Sequence, residues 1–224
     1  VGGTWEKTRV FTLTGPTGSS GAHAVALERR GIIELVQAIR ERRVYRSIET
    51  AEITEELLED LAGSAELAPS CSNNQPWRYV FVYDPEVLKR MHGALSKGNE
   101  WARDASMIVV VFGVKEYDCL IKEREYYLFD TGMGTAFLIL RATELGLVAH
   151  PIAGYKPALV EEILGIPEEV MVITLVIVGK HAKTISPVLS EWQAESEKER
   201  PQRKPLREFV HHNHYHAEQE GSSK

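Results

Sequence analysis

Two runs of this chain, Met107–Val114 and Val170–Gly179, are almost continuously apolar and β-branched. A strand with no polar side reads as one covered on both faces, so helices must lie above and below the sheet that holds it. The chain offers those helices. Residues 31–43 place Ile32, Leu35, Val36 and Ile39 on one face. Thr54 can cap a helix reaching Leu67, with Leu57, Leu58, Leu61 and Ala65 inward. Asp84-Pro85 opens a third helix, and Val87, Leu88, Met91 and Leu95 form its buried side. Asp130–Leu145 is apolar almost all round, as a helix is in a protein's middle or a subunit interface, and Gly146 suits its C′ position. Pro157 starts a further helix that Gly165 ends. Arg78–Tyr83 alternates as a third strong strand, Leu147–Tyr155 reads as a short strand into a turn, and Tyr117–Phe129 as a mixed helix. The regular βαβ rhythm is missing, and so are GxGxxG and GxxxxGK turns, which excludes a dinucleotide-binding Rossmann unit or P-loop by motif. The expected fold is an α+β sandwich with its sheet between helices.

At 224 residues, 43% of them hydrophobic, the chain can bury one sizeable core. Its net charge of -6 argues against a nucleic-acid partner. Gly113, Arg141 and Gly179 break the longest apolar runs, so no membrane span is expected. No charged-then-apolar leader opens the chain, and the two cysteines, Cys71 and Cys119, make neither a disulfide framework nor a metal knot. The expectation is a cytoplasmic protein with thiols kept reduced. Residues 1–29, rich in Gly, Thr and Ser, read as a flexible extension, 30–216 as the folded domain and 217–224 as a tail.

Two stretches carry chemistry. In the first, Arg42, Arg43 and Arg46 fall within five residues, where a helix gives way to extended chain. Cations at a helix C-terminus complement the macrodipole, which accounts for the run as a solvated face. The same forked donors could also converge on a phosphate. In the second, Pro69 stops a helix, and Ser70, Cys71, Ser72, Asn73, Asn74 and Gln75 form a loop dense in amides and hydroxyls. Composition alone favours a surface turn there over a site for a flat, heteroatom-edged ligand. His150, before Pro151 in an apolar turn, reads as a packed histidine. His211, His212, His214 and His216 lie in a polar segment without cysteine, where adventitious metal binding is the expectation. No GxSxG elbow flanks Ser70 or Ser72, and nothing supplies Cys71 with a base.

Taken in order, these segments resemble the FMN-dependent nitroreductase family from about Ile33 to Val210. APSCSNNQPWRYVFV, from Ala68, is similar to the family's Ala-Pro-Ser…Asn-x-Gln-Pro-Trp signature and the strand after it. IRERRVYRS resembles the Arg-Arg-Ser-x-Arg element that holds the FMN phosphate. Asn99 and Trp101 match an Asn-x-x-Trp element, Pro151–Tyr155 the Pro-Ile-x-Gly-Phe/Tyr turn, and RKPLREFVHHNHY the basic C-terminal element.

The resemblance implies a mainly antiparallel sheet flanked by helices, in an interlocked homodimer with two FMN sites at the interface. It implies ping-pong reduction of nitroaromatics, quinones or similar acceptors by NADH or NADPH, with no protein catalytic residue and the chemistry at FMN N5. Carried over by position, Arg42, Arg43 and Arg46 would bind the phosphate, with Arg203 or Lys204 adding charge. Pro69, Ser70, Cys71, Asn73 and Gln75 would meet the ribityl chain or ring edge of the partner subunit's flavin. Asn99 would face the pyrimidine edge, and Pro151, Ile152, Ala153 and Gly154 would run along the ring with an N–H near N5. Val44 stands where the family has serine and removes a hydroxyl donor. Ala153 stands where some members carry glutamate, so nicotinamide contact through that side chain is not expected. No segment matches the lid of the dehalogenating members, and dehalogenation is not expected. Two other readings are a flavin-binding dimer with a storage or specialised flavin-consuming role, motivated by Val44 and Ala153, and a plain interaction domain whose arginines cap helices.

Overall fold

The computed structural model describes residues 35–216. The expectations for residues 1–29 and 217–224, including a short strand near Phe11, lie outside them, as does the first turn of the 31–43 helix.

The helix expected from residue 31 is described as Leu35–Glu41, α1. After the short strand Ile48–Glu49, β1, comes Glu55–Glu66, α2, whose Thr54 hydroxyl accepts from Leu57 N as a capping residue does. Trp77–Val82 is β2. Asp84 caps Pro85–Met91, α3, accepting from Glu86 N and Val87 N. Met107–Gly113 is β3. The mixed helix expected over 117–129 is not formed. Lys122 takes a left-handed turn at φ 57, Leu120–Ile121 (β4) folds back on Arg124–Glu125 (β5), and the helix begins only at Tyr126. That helix, Tyr126–Glu144 (α4), is followed by Val148–Ile152 (β6), Pro157–Leu164 (α5), Met171–His181 (β7) and Glu191–Lys198 (α6).

The sheet is antiparallel throughout. β7 pairs with β1, β3 and β6, and β2 pairs with β3. Period two divides the apolar strands between two cores. Ile108, Val110, Leu175 and Ile177 pack with Leu88 and Met91 of α3 and Val160 of α5. Met107, Val109, Val111, Val176 and Val178 pack with Leu61 and Ala65 of α2 and Leu138 and Ala142 of α4. At about 25 cal/mol per Å² of apolar surface, this double coverage is what holds the sheet. α4 passes so close to β2 that a Cβ on Gly134 would sit 2.8 Å from Tyr79 Oη.

Among the described residues, two apolar faces remain uncovered. α1 buries only Ala38 and leaves Leu35, Val36 and Ile39 exposed, against the expectation of an inward face. α4 buries Thr131, Leu138 and Ala142 but exposes Phe129 (58%) and Phe137 (41%). Leu35, Ile39, Leu67, Phe137 and Leu140 together line an apolar groove of about 480 Å³.

Candidate active site: a cationic cavity and a strained loop

α6 is built to face the arginines. Ser190 and Gln193 form a reciprocal capping box, and Gln193 Nε2 reaches across to Gly98 O at 2.7 Å. At the far end of α6, Arg43 Nη2 donates to the carbonyls of Ser196 (3.1 Å), Glu197 (3.1 Å) and Glu199 (2.8 Å), groups left orphaned by the helix end. Glu197 is buried and accepts from the backbone N–H of both Arg46 and Ser47. Arg46 Nη1 donates to Ser196 Oγ at 3.2 Å, and its guanidinium lies 5.3 Å from the Trp192 ring. Arg200 Nη2 binds the carbonyls of Arg40 (2.5 Å) and Arg42 (2.7 Å). The result is a cavity of about 120 Å³ walled by Arg42, Arg43, Val44, Arg46, Arg200 and Arg203, with Trp192 and Ser196.

Charge in this cavity is unbalanced. Among the described residues neither Arg42 nor Arg203 has a carboxylate partner. The Arg42 pKa is pushed down by burial first and then by the cations of Arg200 and Arg203. That of Arg46 is also lowered by burial, with Glu197 opposing. Like charges gathered with so little compensation repel one another, and an anion in the cavity would relieve the repulsion that folding imposes.

Next to the arginines stands His150, buried, its Nδ1–H donating to Tyr45 O at 3.0 Å. Burial brings its pKa down to about 4, with Arg46 and Arg42 adding and the Tyr45 bond opposing. It is a neutral packing histidine at pH 7, with its ring 4.7 Å from that of Trp101. Asn99 and Gly154 meet directly: Asn99 Nδ2 donates to Gly154 O at 2.9 Å, and Ser96 N binds the same oxygen at 3.1 Å. A Cβ on Gly154 would lie 2.4 Å from Asn99 Nδ2, so this close approach requires glycine. Around it Ile152 is buried, while Pro151 and Ala153 face outward. Lys204 is 80% exposed, 3.8 Å from Glu208, and does not line the cavity.

The loop 69–75 forms a separate region, packed on α4. Ser72, Asn73 and Gln75 all take positive φ (51, 59 and 50°), at a cost of about 1–2 kcal/mol each for residues with a Cβ. Ser70 Oγ accepts from Gln75 N at 3.0 Å, Gln75 Nε2 donates to Asn73 O at 3.2 Å, and Cys71 N donates to Asp130 Oδ2 at 2.7 Å. The expectation of two free thiols is overturned: Cys71 and Cys119 form a disulfide. They are 48 positions apart in sequence, and Cys119 immediately precedes the β4–β5 hairpin that stands where a helix was expected. The C-terminal histidines do not converge. Among the described residues, Cys71, Asp118 and Cys119 are the one group with ligand atoms in common reach.

One chain therefore joins Arg42, Arg43, Arg46 and Arg203 in one cavity and Asn99 with Gly154 beside α6, and keeps Pro69–Gln75 apart from both. Sequence reasoning missed Trp192, Ser196, Glu197 and Arg200; the Ser190-x-x-Gln193 capping signature was the signal for the helix that carries three of them.

The profile of the Nitroreductase family matches residues 39–180. A protein of Archaeoglobus fulgidus, provisionally named an NADH dehydrogenase/NAD(P)H nitroreductase, is 30% identical over 65% of this chain and 84% of its own length. An iodotyrosine deiodinase of Haliscomenobacter hydrossis is 28% identical over 67% of this chain and 80% of its own. A solved structure described as an oxidoreductase containing FMN is 27% identical, with TM-score 0.70, over 80% of this chain and 91% of that one. With most of the sheet and four of the helices inside the matched span, and an antiparallel sheet flanked by helices as the fold, the chain belongs to the nitroreductase family.

Proposed function

We propose that the chain is an FMN-dependent oxidoreductase that uses NADH or NADPH to reduce nitroaromatic, quinone or related acceptors. The observation that carries this reading is the arginine cavity in which Arg42 and Arg203 have no carboxylate partner among the described residues, since a half-open cationic pocket fits a phosphate monoester. Bound there, FMN would supply two-electron transfer between the nicotinamide and the acceptor in two half-reactions.

The chain's own residues bind and orient. Arg42, Arg46 and Arg203 hold the phosphate. Arg43 does so indirectly, by fixing the end of α6 against the cavity. Val44 contributes no side-chain donor, and Arg42 compensates. Asn99, anchored by Gly154 O, presents its amide to the ring's polar edge, and the missing side chain of Gly154 is what lets Asn99 approach so closely. The loop from Pro69 through Ser70, Cys71 and Asn73 to Gln75 serves the flavin of a second copy, which makes the active unit a homodimer. Its separation from the arginine cavity within one chain and the uncovered faces of α1 and α4 support that assembly. Among the described residues no helix is long and apolar enough to cross a membrane. The protein is proposed to work in the cytoplasm, where Cys71–Cys119 would meet thiol reductants.

Purified full-length protein should carry or take up FMN and lose the flavin absorption band when NADH or NADPH is added. Failure to bind FMN would end this reading. Binding without bleaching would leave the storage or specialised flavin-consuming role.

A further inference from the structure

Cys71 and Cys119 are both half-buried, and their bond joins the loop 69–75 to a hairpin of only four paired residues. On the open side, Cys71 helps to wall a cavity of about 280 Å³ with Pro69, Ser70, Tyr126 and Met133. Two buried acids from different elements flank the bond, and one of them, Asp130, lines the same cavity. Cys119 N donates to Asp118 Oδ1 at 2.7 Å, and Cys71 N to Asp130 Oδ2 at 2.7 Å. The second oxygen of each, Asp118 Oδ2 and Asp130 Oδ1, is buried and has no partner. Burial pushes the Asp130 pKa up, the Cys71 N–H opposes, and Asp118 adds to the rise. Burial holds the Asp130 carboxyl toward its protonated form, and its proton directed at Asp118 Oδ2 leaves neither oxygen orphaned. A carboxylate oxygen of Asp118 and both sulfurs lie within 4.8 Å of one another. Cys119 Sγ also has donors at hand: Asn74 Nδ2 at 3.5 Å and Ser72 Oγ at 3.8 Å.

A static cross-link needs neither a cavity beside its sulfur nor a protonated acid next to it. We propose that Cys71–Cys119 is a redox-active disulfide that exchanges with a dithiol, using the Asp118–Asp130 pair as its proton donor. A thiolate of the dithiol enters the 280 Å³ cavity and attacks Cys71 Sγ. The new S–S bond forms as the Cys71–Cys119 bond breaks. The electron pair goes to Cys119 Sγ, where the Asn74 amide stabilises it and the carboxyl pair protonates it. The second thiol of the reagent, giving up its proton to water, then attacks its own mixed disulfide and expels the Cys71 thiolate, which is protonated from solvent. The dithiol leaves as a disulfide, the protein holds two thiols, and solvent returns the proton to the acids. With the bond open, the β4–β5 hairpin is released and the strained loop can relax.

The test uses the folded full-length protein without denaturant. Dithiothreitol is added, thiols are trapped with a maleimide at timed intervals, and the peptides holding residues 71 and 119 are quantified by mass spectrometry. Wild type should be alkylated at both positions with its circular dichroism unchanged. Glutathione, a monothiol, should leave its adduct on Cys71 with Cys119 free. Asp118→Asn, which keeps an acceptor for Cys119 N, should slow reduction roughly tenfold or more. A disulfide that opens only when urea unfolds the protein, an adduct on Cys119, or an Asp118→Asn rate equal to wild type would overturn the proposal. The two wild-type readouts do not depend on any variant folding. The readouts are of thiols and are made on the flavin-free protein, because Cys71 is also proposed to face the flavin of a second copy; their failure leaves the FMN reading untouched.

Discussion

Arg42 and Arg43 are sequence neighbours with opposite consequences. Arg43 places its donors on three carbonyls at the end of α6, whereas Arg42 is held among cations with no carboxylate of its own among the described residues. Arg43→Ala should destabilise the protein by about 1–3 kcal/mol, because three carbonyls at the end of α6 lose a charged donor. Arg42→Ala should leave the flavin-free protein at least as stable, because it removes repulsion. It should also weaken FMN binding about 10–100-fold, the worth of one charged contact of about 1.5–3 kcal/mol. Calorimetry of the flavin-free protein and fluorescence titration with FMN separate the two. His150 sets a pH dependence. Its pKa falls from 6.5 unfolded to about 4 folded, so the stability it contributes is complete above pH 6.5 and is lost as pH drops toward 4. The loss should reach about 3 kcal/mol, and His150→Gln should flatten that segment of a urea-denaturation profile measured against pH.

Among the elements, α6 matters most for the site. It is polar and mostly exposed, and it stands through its capping box and through Arg43 and Glu197 rather than through a core. Ser190→Ala should cost about 1 kcal/mol in chemical denaturation and lower FMN affinity as well, since Trp192 and Ser196 move with the helix. The same substitution at Thr54, which caps α2 far from the arginines, should cost a similar amount and leave FMN affinity unchanged. The turn after β6 depends on one atom's width. Gly154→Ala puts a Cβ where Asn99 Nδ2 now lies and should break their hydrogen bond.

For the whole molecule, the uncovered apolar faces are the largest unsettled balance. α4 cannot bury Phe129 and Phe137 against its own sheet, because that side of the helix is already committed through Leu138 and Ala142. A second copy over the groove would bury them. Phe137→Asp should therefore yield a monomer in sedimentation velocity, with its antiparallel fold intact by circular dichroism and its FMN lost. A dimer that persists in Phe137→Asp would move the interface elsewhere.

Local signals decided much of this protein in advance. The β-branched runs could only be covered strands, and they became β3 and β7, alternating between two cores. Thr54, Asp84 and Gly146 marked helix ends because capping is a matter of a few adjacent backbone groups. The arginine run and the Pro69–Gln75 loop were visible as chemistry, but the loop composition alone favoured a surface turn. What tertiary structure decided was contact between distant segments. It set Arg43 on a helix about 150 residues away. It also seated Asn99 on Gly154, turned 117–125 into a hairpin and closed Cys71 onto Cys119. A short mixed segment such as 117–125 has no periodicity strong enough to fix its state, so its contacts with the rest of the chain decided it. The charge of a cavity, likewise, is a sum over residues that the sequence keeps apart.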